Sequence, residues 1–225
     1  MRTKPVIAVD GPAGAGKSTA SRMLADRLGF VLVDTGALYR GVALAATERG
    51  VSWDDGAALG TMAEALELHF EAGEGGAPRL FLDGVDRSVD IRAPLVSRGA
   101  SDVSRHAEVR QALLSLQRTL GQAGGVVLEG RDIGTVVFPD AELKVFLTAS
   151  PEVRARRRME ELRGRGMAAE YEETLAAIVA RDEQDAGREV APLRVAPDGV
   201  TVDTTGMSLE QVVEHLAGLA RQVGA

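Results

Sequence analysis

The sequence predicts an α/β fold built on a five-stranded parallel sheet flanked by helices, and three observations carry that prediction. Short apolar runs of strand length recur along the chain, each bounded by Gly, Asp or Pro. Segments of helical periodicity separate them, the βαβ order of a doubly wound parallel sheet. The first run feeds a glycine-rich turn that opens directly into an amphipathic helix. With 225 residues, 45% hydrophobic and 26% charged, the chain can bury a sizeable core, and one domain, or one domain plus an insertion, is expected.

The first strand is Pro5-Val6-Ile7-Ala8-Val9-Asp10, apolar on both faces as a buried parallel strand must be. Ala20, Met23, Leu24 and Leu28 then recur at helical spacing, and Gly29 stands where a C-cap belongs. Phe30 to Val33 is the second strand, followed by helices over Gly36 to Glu48 and Trp53 to Leu66. Leu68-His69-Phe70-Glu71 and Arg79-Leu80-Phe81-Leu82-Asp83 break the alternation as an antiparallel pair. Their hairpin connection runs from Gly73 to Pro78, and a third short strand falls within Gly84 to Ile91. With helices over Pro94 to Arg105 and Ala107 to Leu120, this stretch marks an inserted subdomain near residues 60–110. Val126-Val127-Leu128-Glu129, Leu143 to Leu147 and Val200-Thr201-Val202-Asp203 complete the sheet. Helices are expected over Pro151 to Arg163, Glu170 to Gln184 and Ser208 to Val223, the last with Ser208 as N-cap.

Composition excludes several function classes. The 33 acidic residues against 26 basic ones give a formal charge of -7, which argues against broad adhesion to nucleic acid or to an anionic membrane. Cysteine is absent, which removes thiolate catalysis and Cys-ligated metal, and His69, His106 and His215 are too scattered to suggest zinc. No apolar run approaches a membrane span and no secretory apolar region is recognised, so a cytoplasmic protein is expected. The lack of a long exposed apolar stripe favours a monomer.

Gly11-Pro12-Ala13-Gly14-Ala15-Gly16-Lys17-Ser18 fits GxxxxGK[ST] between an apolar strand and an amphipathic helix. The N–H groups of such a loop cradle phosphate oxygens, its glycines allow close approach, and the helix N-terminus adds partial positive charge. Lys17 reaches the β- and γ-phosphates, Ser18 offers a hydroxyl to Mg²⁺, and Thr19 supports the α-phosphate side. Two features bear on the kind of nucleotide-binding protein. No NKxD element reads guanine, and the single DxxG, Asp203-Thr204-Thr205-Gly206, follows the last strand as an ordinary loop. Arginines instead populate strand ends and loops: Arg40, Arg110, Arg131, Arg181, Arg188 and the run Arg154, Arg156, Arg157, Arg158. Arginine cancels repulsion between two phosphorylated substrates without titrating. A phosphate acceptor, already ionised, needs no dedicated base.

Four motifs together resemble the bacterial cytidylate kinases: Asp10 to Lys17, Asp34-Thr35-Gly36-Ala37-Leu38-Tyr39-Arg40, Gly130-Arg131-Asp132-Ile133-Gly134-Thr135-Val136-Val137-Phe138-Pro139, and Arg181-Asp182-Glu183-Gln184-Asp185. The likeness spans nearly the whole chain. It implies a P-loop nucleoside monophosphate (NMP) kinase fold, with an NMP-binding subdomain at 60–110 and a lid at 150–168. It also implies transfer of a phosphoryl group from MgATP to CMP or dCMP. By resemblance, Thr35, Tyr39 and Arg40 face the acceptor monophosphate, and Ser101, Arg110 and Asp132 read cytosine. Arg131 and Arg188 hold the acceptor phosphate and, with Lys17, are the catalytic cations. Asp185, positioned by Arg181, accepts from the ribose hydroxyls, and Arg157 or Arg158 closes over the ATP phosphates. An acidic or hydroxyl acceptor beside an arginine donor suits the N4 amino group and the N3 and O2 acceptors of cytosine, and mismatches uracil. Glu129 departs from the aspartate common in the family and is held back as a metal ligand. Two rivals stay open: a kinase of the same fold for UMP, AMP or shikimate, and a nucleotide-dependent switch that turns over slowly without a partner.

Overall fold

The computed structural model describes residues 2–73 and 78–225. The predicted parallel sheet is present, built from β1 (Val6–Asp10), β2 (Val31–Asp34), β6 (Val126–Gly130), β7 (Leu143–Thr148) and β8 (Val200–Asp203). Its strand order is β2-β6-β1-β7-β8. All four pairings are parallel. β1 lies at the centre with every residue buried, as its unbroken apolar run requires. Successive side chains alternate between the faces of the sheet. Ile7 and Val9 pack with Leu24 of α1 (Lys17–Leu28) and Leu216 of α8 (Leu209–Gln222), while Val6 and Ala8 pack with Ile133, Val137 and Phe138 on the other side.

The segment after β2 is a second helical layer. Asp34 caps α2 (Thr35–Arg49), accepting from the Ala37 N–H at 3.1 Å, so the helix starts one residue before the periodicity suggests. Leu38, Val42, Ala43, Ala45 and Ala46 are all buried, because α2 is covered on several sides. Asp55 likewise caps α3 (Gly56–Ala65) and delays it relative to Trp53. Next comes the antiparallel sheet of β3 (Leu68–Ala72), β4 (Pro78–Leu82) and β5 (Val85–Asp86). The expected hairpin connection falls on residues 74–77, outside the described residues. The expected third strand is only two residues long; a 3₁₀ turn at Asp90–Arg92 replaces its continuation. Leu68, Leu80 and Leu82 share one core with α2, α3, α4 (Pro94–Val103) and α5 (Ala107–Gly121), so this sheet is packed onto the helical layer.

α6 (Pro151–Gly164) and α7 (Tyr171–Ala186) lie against each other beside the carboxyl edge of the parallel sheet. Among the described residues no helix is long and apolar enough to cross a membrane. Ser208 caps α8 in a full capping box: its hydroxyl accepts from the Gln211 N–H at 3.3 Å, and the Gln211 side chain accepts from the Ser208 N–H at 2.8 Å. Ser208→Ala should therefore cost about 1 kcal/mol, lowering Tm by roughly 2–4 °C without changing turnover, as differential scanning calorimetry will check.

Candidate active site

The loop from Gly11 to Gly16 links β1 to α1 at the carboxyl edge of the sheet, where open α/β folds bind ligands. Gly11 has φ +148°, and a Cβ on it would lie 1.9 Å from the Leu147 carbonyl of β7, so no side chain fits there. Gly16 caps α1 in the left-handed region with no side-chain bond, which leaves the first N–H groups of the helix free for an anion. Lys17 is buried and its Nζ donates to the Pro12 carbonyl at 2.8 Å. Burial, then the charge of Arg131, holds its pKa well below the ordinary lysine value. Ser18 and Thr19 are exposed at the loop mouth, and the Ser18 hydroxyl donates to Glu129 Oε2 at 2.8 Å. Burial, reinforced by the Asp34 charge, pushes Glu129 up to about 7.

Near this loop the predicted acceptor residues of α2, of the chain after β6 and of α7 come together. Thr35 Oγ1 donates to the Glu129 carbonyl at 2.7 Å, tying the start of α2 to β6. Arg40 pairs with Asp34 at 2.6 Å, yet its Nε is buried and unpartnered. Arg131 Nε donates to Asp185 Oδ2 at 3.0 Å, and Arg188 Nη2 stands 3.4 Å from Asp185 Oδ1 without completing a hydrogen bond. Arg181 keeps a buried, unpartnered Nε. Burial and the neighbouring Arg131 push its pKa down to about 10. Arg40 Nε, Arg181 Nε and Arg188 Nη2 are thus buried donors that nothing among the described residues satisfies.

Two of the three residues assigned to the base are in direct contact. Arg110 is buried, donates to Asp132 Oδ2 and to the Ser104 carbonyl at 3.1 Å, and lies 5.4 Å from the centroid of the Tyr39 ring. Ser101 is 8% exposed and its Oγ has no hydrogen-bond partner. A cavity of about 690 Å³ is lined by Tyr39, Arg110, Gln117, Asp132, Val137 and Val190. Burial raises the Tyr39 pKa, so the ring enters this cavity as a neutral phenol.

The arginines of the run Arg154 to Arg158 separate in a way that their spacing does not predict. Arg157 donates to Thr204 Oγ1 at 2.9 Å and to the Thr204 carbonyl at 2.8 Å, beside the phosphate loop, whereas Arg158 pairs with Glu161 at 2.8 Å on the helix surface. Arg154, not singled out, is the buried member: it grips Asp182 through two bonds of 3.1 and 2.6 Å and donates to the Ala13 carbonyl at 3.1 Å. Its sequence signal is weak, because any arginine in the run could have turned inward. Asp185 also differs from expectation. Its hydrogen bond comes from Arg131, with Arg188 beside it, and Arg181 acts on it through charge alone. Among the described residues no three His, Asp or Glu side chains gather into a metal cage.

A phosphate loop facing an arginine-lined cleft at the carboxyl edge of a parallel sheet defines a P-loop kinase for a phosphorylated acceptor. Residues 7–222 match the family model described as cytidylate kinase. The chain is 49% identical over 217 residues to the cytidylate kinase of Geobacter sulfurreducens, covering 96% of this chain and 93% of that one. It is 51% identical over 209 residues to the cytidylate kinase of Geobacter sp. strain M21, covering 93% and 89%. The crystal structure of an uncharacterized protein from Eubacterium ventriosum shares the fold, with a TM-score of 0.55 at 9% identity over 97% of this chain and 99% of that one. The chain belongs to the cytidylate kinase family.

The carboxyls beside the loop carry a stability signature. Glu129 sits at about 7 and Asp10 at about 6 in the fold, both raised by burial above ordinary carboxylate values. Between about pH 4.5 and 7 the folded chain keeps protons that the unfolded chain has released, so these groups make stability fall as pH rises. Nucleotide-free Tm measured from about pH 5 to 7.5 should show this component, and Glu129→Gln should flatten it. An unchanged slope in the variant would contradict the assignment.

Proposed function

We propose that this chain is a cytidylate kinase that transfers the γ-phosphoryl group of ATP to CMP or dCMP, giving ADP and CDP or dCDP. The observation that carries this reading is the buried Arg110–Asp132 pair, which lines one cavity together with Tyr39, while the buried Ser101 hydroxyl of α4 has no hydrogen-bond partner. Arg110 and Asp132 present a donor and an acceptor that answer the N3, O2 and N4 edge of cytosine, and a uracil would leave buried groups unpaired.

The backbone from Gly11 to Gly16, with Lys17 and Thr19, binds the ATP phosphates; Lys17 leaves the Pro12 carbonyl for the β- and γ-oxygens. Arg131 and Arg188, with Arg40 and Thr35, hold the acceptor phosphate, and Tyr39 lines its site. An acceptor phosphate oxygen forms the new P–O bond as the bond from the γ-phosphorus to the β–γ bridging oxygen breaks, and no proton need be removed first. Asp185, set by Arg131 and Arg188 with Arg181 nearby, faces the ribose hydroxyls. Arg157, at the edge of the phosphate loop, is the lid residue that closes over ATP, and Arg158 is the second candidate. Residues 60–110 serve as the NMP-binding subdomain and 150–168 as the lid.

Mg²⁺ fits this site. The Ser18 hydroxyl and the Glu129 carboxylate are 2.8 Å apart, hard oxygen donors of the kind Mg²⁺ takes alongside phosphates and water. Ser18 would hold the ion and Glu129 would orient its water, and the bound ion would supply positive charge beside the ATP phosphates. We further place the enzyme in the cytoplasm as a monomer that binds neither nucleic acid nor membrane, consistent with its acidic balance.

ADP release with a panel of nucleoside monophosphates and shikimate tests the reading. CMP and dCMP should stimulate strongly over the no-acceptor control; preference for another acceptor, or indifference to all, would overturn it. Lys17→Ala should depress kcat about 10²–10³-fold with every acceptor. Asp132→Ala should instead reduce discrimination between CMP and UMP by about 10–100-fold. Equal losses for CMP and UMP would remove Asp132 from base recognition.

A further inference from the structure

Asp10 is the last residue of β1, 5% exposed, and belongs to neither set of substrate-binding residues. Its Oδ1 accepts from the Ile133 N–H and its Oδ2 from the Gly134 N–H, both at 2.8 Å, across 123 and 124 residues of chain. Ile133 and Gly134 begin a single π-helical turn, Ile133–Val137, whose leading N–H groups have no partner within the turn. Asp10 immediately precedes Gly11 of the phosphate loop, and Arg131 and Asp132 immediately precede Ile133. One carboxylate therefore joins the chain that leaves for the donor site to the chain that has just supplied two acceptor-site residues.

Strand pairing alone does not accomplish this. The β1–β6 register aligns Asp10 with Gly130 and ends there, leaving open the direction the chain takes through Arg131 and Asp132. Two bonds from one planar group fix that direction. The far end of the turn is held separately: Arg118 Nε and Nη2 donate to the Val137 and Val136 carbonyls, both at 3.1 Å. Burial raises the Asp10 carboxyl to about 6, an energetic cost that an apolar residue at the end of a buried strand would not carry.

We propose that Asp10 is a positioning residue that sets Arg131 and Asp132 relative to the phosphate loop, and so aligns the acceptor with the donor phosphate. The inference rests on the kinase reading above, since Arg131 and Asp132 matter here as acceptor ligands. Alignment of reacting groups is sensitive to small displacements, which gives a buried carboxylate outside the substrate contacts leverage over rate.

Asp10→Asn keeps the shape but presents an NH₂ group to one of the two backbone N–H donors. Amide hydrogen exchange at Ile133 and Gly134 should accelerate at least about tenfold while the β1 and β6 amides stay protected, a readout that needs no substrate. CMP should bind about tenfold more weakly by isothermal titration, with kcat down by about tenfold and the ATP Kd within about twofold of the unaltered protein. Unchanged exchange at both amides, or equal weakening of ATP and CMP, would overturn the inference. Failure of the unaltered protein to bind or use CMP would instead count against the kinase reading, and the exchange test would still decide the role of the carboxylate. Should Asp10→Asn not fold, Arg118→Met loosens only the far end of the same turn. A rise of about threefold in CMP Kd at constant ATP Kd is expected there, and no change would overturn the proposal.

Discussion

Lys17, Arg131 and Arg181 share one corner of the cleft, and their mutual repulsion in a poorly hydrated space is the constraint around which the site is built. The charge of Arg131 depresses both Lys17 and Arg181, in each case behind burial as the larger cause. Such a cluster persists only if carboxylates hold its members at fixed distances or an anion arrives to neutralise them. The fold supplies the first remedy in part: Asp185 takes Arg131 and stands beside Arg188, and Asp34 takes Arg40. The buried Nε atoms of Arg40 and Arg181, left without partners, mark where the second remedy belongs.

The architecture follows from that need. A parallel sheet gathers the carboxyl ends of β1, β2 and β6 at one edge, so loops far apart in sequence meet there. Each loop is then tied by polar contacts from one side chain: Thr35 to the Glu129 carbonyl, Asp10 to the turn after Arg131 and Asp132, and Arg154 to Ala13 and Asp182. These contacts are buried or nearly so, in surroundings where a hydrogen bond is electrostatically stronger than in water. The same surroundings make a missing partner costly, so the positions of the cations are sharply defined.

Much of this was legible in the residues. The apolar run before Gly11 and the spacing of GxxxxGK[ST] locate the phosphate loop without any structure, because backbone geometry and glycine content dictate both. The surplus of arginines at strand ends pointed to phosphate chemistry for a reason of charge alone. Other features depended on packing that no local pattern encodes. Among the arginines from Arg154 to Arg158 only Arg154 is deeply buried, decided by where α6 meets α7 and the phosphate loop. The π turn at Ile133–Val137 has no composition signal, and the role of Asp10 depends on that turn. The start of α2 was missed by a residue because Asp34 serves both as its cap and as the partner of Arg40.

Cations that the protein leaves incompletely neutralised should let the cleft grip a phosphate. Isothermal titration of CMP against cytidine, in parallel at low and high salt, tests that claim directly. The account predicts that CMP binds at least about 10²-fold more tightly than cytidine and that added salt erodes the difference, since the phosphate gains several charge-assisted bonds. Comparable affinities for CMP and cytidine, insensitive to salt, would contradict it.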